Sequence, residues 1–385
     1  MRICIITSAS FPPEEGIGNY IYNLSKELIR KGHYVTIITR GSSKLQEENF
    51  EGIRLFRVPF FPVYPFHVQI HGTFVKKLFS SIQSDFDIVH FHTPLPSPFE
   101  TNLPTITTVH TPMKTDTGKI ELVNPFSVAV KLQGKISCLI ESKLFDISDK
   151  ITSVASSVSQ ELGEYGLDPN TVEVIGNGVD EKLFYPVQRK YQEKYILYTG
   201  RLSYRKGLFD FIECGIRICS RYPEINFKLT GKGPLGDKLV KIVNESGYED
   251  RFEFLGHVEK SKLIELYQNA TVFILPSHYE GLPTTLLEAM SCGLPIVATA
   301  VSGNLDVLES GKNGILVPVK SPEKMAEAVS SLLDDENLRT ELGVAARKTI
   351  EEKYTWDAIS DKILRCYYSV CMDEGNIDEI KNGRK

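Results

Sequence analysis

The sequence predicts an α/β protein made of two doubly wound domains. Short apolar runs alternate with amphipathic stretches along the whole chain, which is the pattern of βαβ units. The runs ICIIT, VTIIT and DIVHF are apolar at successive positions, as expected for strands buried on both faces of a parallel sheet. A turn-rich break follows residue 175, and the alternation then restarts, so we expect two domains of similar size.

The first domain is expected to begin with a strand and to continue by right-handed crossovers. Apolar runs predict strands over 3–7, 34–39, 53–58, 88–91, 105–110, 150–154 and 172–175. Helical spacing of apolar residues predicts helices over 18–30, 72–82, 127–145 and 156–165.

The domain boundary is expected in the turn formers of residues 176–180 (GNGVD), which places the first domain at 1–180 and the second at 181–354. The second domain is predicted to have strands over 195–198, 226–230, 252–255, 271–275, 296–299 and 314–317. Its helices are predicted over 207–221, 236–245, 260–268, 284–291, 304–308, 322–333 and 336–353. A last helix is predicted over 355–371, and a charged tail follows residue 373.

The composition excludes several classes of protein. Of 385 residues, 42% are hydrophobic and 24% charged, which is an ordinary globular mixture. The net charge of −5 argues against a nucleic-acid partner, and no apolar run reaches the length of a membrane span. Seven scattered cysteines without a C-x-x-C pair, and a start without a signal-peptide pattern, favour a cytoplasmic protein with reduced thiols.

No G-x-G-x-x-G motif follows the first strand of either domain, which argues against a standard dinucleotide site. After the first strand of the chain come Gly16 and Gly18, with one residue between them and no third glycine.

The most informative stretch, HYEGLPTTLLEAM at 278–290, lies between an apolar strand and a helix. Pro283 suits the first helical turn, which leaves the N–H groups of Leu282, Thr284 and Thr285 free to bind an anion such as phosphate. Gly281 would allow the backbone to approach a ligand closely.

Two carboxylates flank the start of this helix, Glu280 in the turn and Glu288 within the helix. Carboxylates suit paired sugar hydroxyls, so both are candidates for one ligand. The alternative is that Glu280 caps the helix and Glu288 is a solvated surface residue.

A second candidate site follows the first strand of the second domain, in GRLSYRKG at 200–207. Arg201 leaves the strand at its carboxyl end and Lys206 precedes a helix, so together they would bind a diphosphate. Arg205 is expected to face solvent. The alternative for each of these charges is ordinary surface solvation.

Weaker signals come from a glycine turn and a histidine at other strand ends. Gly231 belongs to the turn TGKGP, a type that is common in α/β domains for structural reasons alone. His110 ends the strand TITTVH, where a structural role and a sugar contact are both open. The D-x-D pattern at 85–87 precedes a strand at its amino end, so no metal site is predicted.

These motifs together resemble a retaining glycosyltransferase of family 4. EGLPTTLLEAMSCGLPIVAT is similar to the family's most distinctive block, in which Glu280 and Glu288 match the E-x7-E pattern. Residues 200–207 match the G-R-x4-K-G element and 231–234 match the G-x-G-P turn, with Lys232 where an acidic residue is usual. Residues 16–20 resemble the first-domain glycine loop, with Glu15 where a small residue is common, and 354–356 resemble the family's hinge.

The resemblance implies the GT-B fold, two Rossmann-like domains facing a cleft, with the helix 355–385 crossing back to the first domain. It also implies that the donor is a nucleotide diphosphate sugar bound on the second domain. By this resemblance, the diphosphate would be held by Arg201 and Lys206, the ribose by Glu288 and the donor sugar by Glu280. The further donor-binding residues implied are Gly231, His257, Val258, Gly281, Leu282, Pro283 and Thr284, with Gly16, Gly18 and His110 contributed by the first domain.

The expected reaction is retaining, metal-independent transfer of a hexose or N-acetylhexosamine from a UDP- or GDP-sugar, without a cofactor. Because no first-domain acid is evident at a strand end, same-face displacement is favoured over a two-step route. The alternatives are a nucleotide-sugar epimerase on the same fold and a non-catalytic sugar-nucleotide-binding protein.

The acceptor would be chosen by first-domain loops at 60–73, 94–102 and 113–125. The first of these mixes aromatic residues and is followed by Lys76 and Lys77, which suits contact with the inner face of a membrane and a lipid-linked glycan acceptor. The alternative is an ordinary amphipathic segment that covers the sheet.

Overall fold

The computed structural model describes residues 1–13, 16–63, 66–94, 96–114, 125–188 and 193–373, with the backbone alone at 125–133 and at 373. Glu15, Leu95, most of the loop 113–125 and the tail beyond residue 373 therefore lie outside the described residues. The chain forms two compact units. Unit 1 holds Met1–Gly176 and the chain from Ile359 onward, and unit 2 holds Asn177–Ala358.

Unit 1 is a doubly wound α/β unit. Its elements are β1 (Arg2–Thr7), α1 (Gly16–Arg30), β2 (Tyr34–Arg40), β3 (Gln46–Phe50), β4 (Ile53–Val58), α2 (His67–Ile82), β5 (Ile88–His92), β6 (Thr105–Val109), α3 (Pro125–Asp146), β7 (Lys150–Ser153), α4 (Ser156–Glu161) and β8 (Glu173–Val174). The described strands form one sheet in the order β3-β4-β2-β1-β5-β6-β7-β8. Its pairs are parallel except β3 with β4.

The edge strand β3 has no counterpart among the predicted strands, because its sequence QEENF is polar throughout. It pairs antiparallel to β4, and charges match across the two strands. Arg54 lies 2.7 Å from Glu47, and Arg57 lies 2.7 Å from Glu48. Cross-strand ion pairs and a charged edge therefore replace the apolar pattern that identified the other strands.

Unit 2 repeats the architecture with its own sheet. Its elements are β9 (Lys194–Thr199), α5 (Leu208–Arg221), β10 (Ile225–Thr230), α6 (Gly236–Ser246), β11 (Phe252–Gly256), α7 (Lys260–Asn269), β12 (Val272–Leu275), α8 (Thr284–Ser291), β13 (Ile296–Thr299), α9 (Ser302–Leu305), β14 (Ile315–Val317), α10 (Pro322–Asp334) and α11 (Glu336–Lys353). Its strands are parallel throughout and lie in the order β11-β10-β9-β12-β13-β14. The direction in which successive strands are added therefore reverses between β9 and β12.

The last helix, α12 (Trp356–Asp373), begins in unit 2 and belongs to unit 1 from Ile359 onward. The hydroxyl of Tyr367 lies 2.7 Å from Nδ1 of His90 on β5, and Asp361 pairs with Lys31. The chain thus returns to the sheet of unit 1 after unit 2 is complete.

Several boundaries differ from the predicted ones for local reasons. Helix α2 starts at His67, five residues before the predicted start, because His67, Val68 and His71 are also buried. The helix predicted over 156–165 ends at Glu161 and tightens into a 3₁₀ turn. Among the described residues, no helix is long and apolar enough to cross a bilayer.

Candidate functional site

The candidate site of unit 2 lies where the strand order reverses. Ligands of doubly wound sheets bind beyond the carboxyl ends of the strands at this point. The reversal falls between β9 and β12. The loop 200–207 follows β9 and the loop 276–283 follows β12, so the two most informative motifs of the sequence meet at one edge of the sheet.

The two loops are packed directly against each other. Gly207 has φ +63°, and a Cβ there would lie 1.9 Å from the carbonyl oxygen of Pro276. The N–H of His278 donates to the carbonyl of Arg205 at 2.8 Å, and its Nε2 lies 2.7 Å from Oδ2 of Asp210. Close backbone contact therefore fixes the position of one loop relative to the other.

Lys206 and Glu280 form a largely buried ion pair across these loops. Nζ of Lys206 lies 2.5 Å from Oε1 of Glu280, whose side chain is 6% exposed. The hydroxyl of Ser277 donates to the same oxygen at 2.6 Å, and that of Ser302 donates to the Glu280 carbonyl at 2.9 Å. These contacts place a fixed cation next to a fixed acceptor, and they show that Glu280 is neither a helix cap nor a solvated residue.

Arg201 differs from Lys206 in being exposed. Within the described ranges its guanidinium makes no ion pair, while its carbonyl accepts a hydrogen bond from the Tyr198 hydroxyl at 3.1 Å. Arg205, four residues on, is also exposed and lies over the ring of Tyr279 at 5.6 Å. A hydrogen bond therefore holds the backbone of Arg201 in place, while its guanidinium is available to bind an anion.

Glu288 lies in α8 and is partly buried. The hydroxyl of Tyr267 donates to its Oε2 at 2.9 Å and lies 2.5 Å from the hydroxyl of Thr199, which ends β9. Burial raises the pKa of Glu288 to about 7, and the hydrogen bond from Tyr267 opposes part of that rise. This carboxyl therefore titrates near neutral pH.

Helix α8 begins where the sequence predicts it, and only the place of Pro283 differs from the expected first helical turn. Pro283 is the N-cap residue, with extended φ −75° and ψ 119°, and the helix begins at Thr284. The side-chain amide of Asn177 donates to the carbonyl of buried Leu282 at 2.6 Å. Gly281 is held from the other side, since a Cβ on Gly303 would lie 1.1 Å from its carbonyl oxygen. The N–H groups of the first helical turn remain outside the helical ladder.

The glycine turn after β10 and the residues after β11 lie at the same edge. Gly231 has φ +116°, and a Cβ there would lie 2.0 Å from the carbonyl oxygen of Gly200. Close contact between the two backbone segments is therefore enough to explain why residue 231 is glycine. His257 is exposed and Val258 is half-buried, both immediately after β11.

In unit 1, the glycines lie at the start of α1. Gly16 is exposed, whereas Gly18 is buried, and a Cβ on Gly18 would lie 3.1 Å from Cβ of Pro13 and 3.3 Å from the carbonyl oxygen of Ser10. The loop after β1 therefore passes close to the helix at Gly18.

His110 follows β6 and is 9% exposed. Its Nε2 lies 3.0 Å from Nδ1 of His92, the last residue of β5, and the ring of Tyr20 meets its ring edge-on at 4.9 Å. Burial lowers the pKa of His110 to about 3, so the imidazole is neutral at physiological pH.

Sequence reasoning missed several residues of these surroundings. Besides His92, Asn177, Tyr267, Ser277 and Ser302, the structure places Glu141 of α3 in the interior of unit 1, 3% exposed. Its Oε2 accepts hydrogen bonds from the N–H of Met113 at 2.9 Å and from the Tyr165 hydroxyl. Burial raises its pKa to about 7. Among these missed residues, Ser277 lies three residues before Glu280, so its contact with that carboxylate could have been predicted from local spacing.

Among the described residues, no group of three or more histidine, cysteine, aspartate or glutamate side chains is arranged to hold a metal ion. The aspartates of the D-x-D pattern bind arginines: Asp87 lies 2.7 Å from Arg2 and Asp85 lies 3.0 Å from Arg54.

Two family models match the chain. The model described as Glycosyl transferases group 1 matches residues 179–349, and that described as Glycosyltransferase Family 4 matches residues 15–183. The chain is 27% identical over 394 residues to an uncharacterized glycosyltransferase of Methanocaldococcus jannaschii, with 95% of this chain and 98% of that protein covered.

Solved structures share the fold over nearly the whole chain. Sucrose-phosphate synthase from Thermosynechococcus elongatus matches with a TM-score of 0.76 at 20% identity, covering 97% of this chain and 99% of that one. The HepE protein of Anabaena, solved in complex with UDP-glucose, matches with a TM-score of 0.71 at 15% identity, covering 95% of this chain and 99% of that one.

Proposed function

Because the chain belongs to the group 1 glycosyl transferases and has the GT-B fold, we propose that it transfers a hexose or N-acetylhexosamine from a nucleotide diphosphate sugar to a hydroxyl acceptor. The observation that carries the proposal is the fixed Lys206–Glu280 pair at the switch point of unit 2. The loop that holds Lys206 also holds exposed Arg201, whose guanidinium makes no ion pair with the described residues. A cation and an acceptor in contact match a ligand that joins a phosphate to a sugar.

The donor diphosphate is bound by Arg201 and Lys206. Negative charge grows on this group as the bond to the anomeric carbon breaks, and preorganised cations stabilise such charge strongly. The free N–H groups at the start of α8, at Thr284 and beside Gly281, add partial positive charge. Lys206 is held by Glu280 and therefore loses little conformational freedom when the donor binds.

The sugar and ribose are bound by the two carboxylates. Glu280, held by Lys206 and Ser277, accepts hydrogen bonds from hydroxyls of the transferred sugar. Glu288 accepts from the ribose, with the hydroxyl of Tyr267 orienting its carboxylate. By the family resemblance, the backbone around His257 and Val258 contacts the base, Gly231 lies against the donor, and Gly16, Gly18 and His110 contribute from unit 1.

The reaction retains the anomeric configuration by displacement on one face of the sugar. A two-step route needs a carboxylate nucleophile at the anomeric carbon. Glu141 does not supply one, because its carboxyl is buried and binds Met113 and Tyr165. In the same-face route the leaving phosphate takes the proton of the acceptor hydroxyl, and no metal or cofactor is required.

The donor is a UDP- or GDP-sugar in the cytoplasm. The complex of the HepE protein with UDP-glucose supports a uridine nucleotide as the first donor to test. Incubation with UDP-, GDP- and ADP-sugars, with and without glycan acceptors, tests the proposal. Release of nucleoside diphosphate is the expected result, conversion to an epimeric nucleotide sugar would indicate an epimerase, and binding without turnover would contradict transfer.

The acceptor is a glycolipid or another precursor of a cell-surface glycan, reached at the inner face of the membrane. Support comes from an apolar segment of unit 1 in which Phe61, Val63 and Phe66 are 37%, 53% and 55% exposed. Lys76 and Lys77 of α2 are exposed on the same stretch of chain, and such a combination suits an anionic lipid surface.

Co-sedimentation with vesicles tests the membrane contact. We expect binding to vesicles containing anionic lipid, weaker binding to neutral vesicles, and a loss of binding when Lys76 and Lys77 are both changed to Glu. Equal recovery in the supernatant with and without anionic vesicles would exclude this contact.

A further inference from the structure

His92 and His110 are brought together by the register of two parallel strands. His92 on β5 pairs with Thr108 on β6, and His110 follows two residues later. Their rings are stacked at 5.3 Å with planes 29° apart, and Nδ1 of His92 lies 3.0 Å from Nε2 of His110. The ring of His90 lies 4.1 Å from that of His92 on the same strand.

Both imidazoles are neutral. Burial lowers the pKa of His110 to about 3, and burial with the neighbouring histidines lowers the pKa of His92 well below its usual value. A neutral imidazole carries one N–H and one lone pair. One of the two rings must therefore donate to the other, and this choice fixes the remaining nitrogen of each.

The surroundings of His92 decide which ring donates. Its Nε2 is buried and has no hydrogen-bond partner in the described structure. If His110 donated, the proton of His92 would lie on Nε2 and would be a buried N–H without an acceptor. If His92 donates from Nδ1, its Nε2 carries only a lone pair. A buried N–H group without an acceptor is rarer, and costs more free energy, than a buried lone pair without a donor. His92 is therefore the donor.

The consequence for His110 is that its Nε2 accepts, so its proton lies on Nδ1. Nδ1 makes no hydrogen bond within the described residues, and it is not among the buried atoms without a partner. The edge-on contact with Tyr20 at 4.9 Å limits rotation of the ring. His110 thus has one defined group to offer a ligand, an N–H donor.

We propose that His92 is a positioning residue that holds His110 in the Nδ1–H tautomer, so that His110 donates a hydrogen bond to an acceptor oxygen of the transferred sugar. The statement about the sugar rests on the proposed function, whereas the tautomer is a property of the free protein. A ligand group that could only donate would leave this N–H unpaired, so the site selects a hydroxyl or another oxygen acceptor.

The tautomer is tested by nitrogen NMR of the protein labelled with ¹⁵N-histidine, with signals assigned by His92→Asn and His110→Gln variants. We expect both rings to carry their proton on Nδ1 in the absence of ligand. A proton on Nε2 of His110 would overturn the proposal, whatever the enzyme's activity.

Kinetics separate positioning from simple packing. In His92→Asn the side-chain amide can still donate from near the Nδ1 position, whereas His92→Leu cannot donate. We expect His92→Leu to lower kcat with the donor sugar by about tenfold or more at unchanged acceptor KM, and His92→Asn to recover most of it. Equal kcat for folded His92→Leu and the parent would contradict the proposal. The NMR result without any sugar transfer would contradict the proposed function instead.

Discussion

At the scale of single residues, the two cations of the candidate site have different roles in folding. Lys206 neutralises a carboxylate that is 6% exposed, so its removal leaves a buried charge without a counter-ion and destabilises unit 2 as well as weakening donor binding. Arg201 is exposed and its guanidinium forms no ion pair within the described ranges. Arg201 is therefore the better residue for testing the diphosphate role.

Replacing Arg201 with Ala removes a charge without disturbing a buried contact. We expect about a hundredfold loss of kcat/KM for the sugar nucleotide, because one preorganised charge at the leaving group is lost. The melting temperature should stay unchanged. Arg205→Ala is the matched control, since it removes an exposed arginine from the same loop and should keep activity. Equal losses in both variants would show that Arg201 acts only through the general charge of the loop.

Because the pKa of Glu288 is raised, we expect nucleotide binding to depend on pH. Burial raises its pKa to about 7, so the carboxylate that accepts from the ribose is mostly protonated at pH 6 and mostly ionised at pH 8. We expect calorimetry to give a nucleoside diphosphate Kd about tenfold weaker at pH 6 than at pH 8. Glu288→Gln keeps an acceptor for Tyr267 but does not titrate, so its profile reports only the ligand's own ionisation. If Kd changes with pH equally in the parent and in Glu288→Gln, Glu288 is not the group that binds the ribose.

At the scale of elements, Glu141 ties α3 to the chain after β6 and to the turn that follows α4. Its carboxylate accepts from the N–H of Met113 and from the Tyr165 hydroxyl, so three segments of unit 1 depend on one side chain. The position of Glu141 along the chain does not indicate this role, because the three segments meet only in the folded unit.

The raised pKa of Glu141, about 7 against an ordinary 4.5, makes unit 1 less stable as pH rises. The folded state binds the proton more tightly than the unfolded state, so the free energy of unfolding falls between about pH 4.5 and 7 and stays lower above that range. Glu141→Gln can still accept both hydrogen bonds without titrating. We expect the free energy of unfolding of Glu141→Gln to exceed that of the parent by up to about 3 kcal/mol at pH 8 and to equal it near pH 4.5.

Urea unfolding at the two pH values measures this difference. Glu164→Gln is the control, since Glu164 is exposed and lies next to Tyr165 in the chain. Parallel stability curves for Glu141→Gln and the parent from pH 4.5 to 8 would show that Glu141 is not a buried titrating group.

At the scale of the whole molecule, the chain consists of two doubly wound units, and its last helix returns to the first. The two family models meet near residue 180, close to the division between Gly176 and Asn177. Apolar strands such as β1 and β9 could be predicted because burial on both faces dictates their composition. The polar edge strand β3 could not, because cross-strand charges stabilise it instead.

The same contrast holds for the candidate site. The sequence singles out Arg201, Lys206 and Glu280 as candidates because they lie in loops that follow strand ends, and Glu288 because it lies in the helix that follows the loop of Glu280. Their partnerships could not be predicted, since Lys206 and Glu280 are separated by 74 residues. His92 and His110 meet only through strand register, which a single sequence does not specify.

The most direct test of sugar transfer is turnover of a nucleotide sugar in the presence of EDTA, with the anomeric configuration of the product followed by proton NMR. We predict release of nucleoside diphosphate, a first-formed product with the configuration of the donor, and loss of both signals in Arg201→Ala. An inverted product, or activity that disappears with EDTA and returns with magnesium, would contradict metal-independent same-face transfer. No turnover with any donor in the panel would contradict sugar transfer itself.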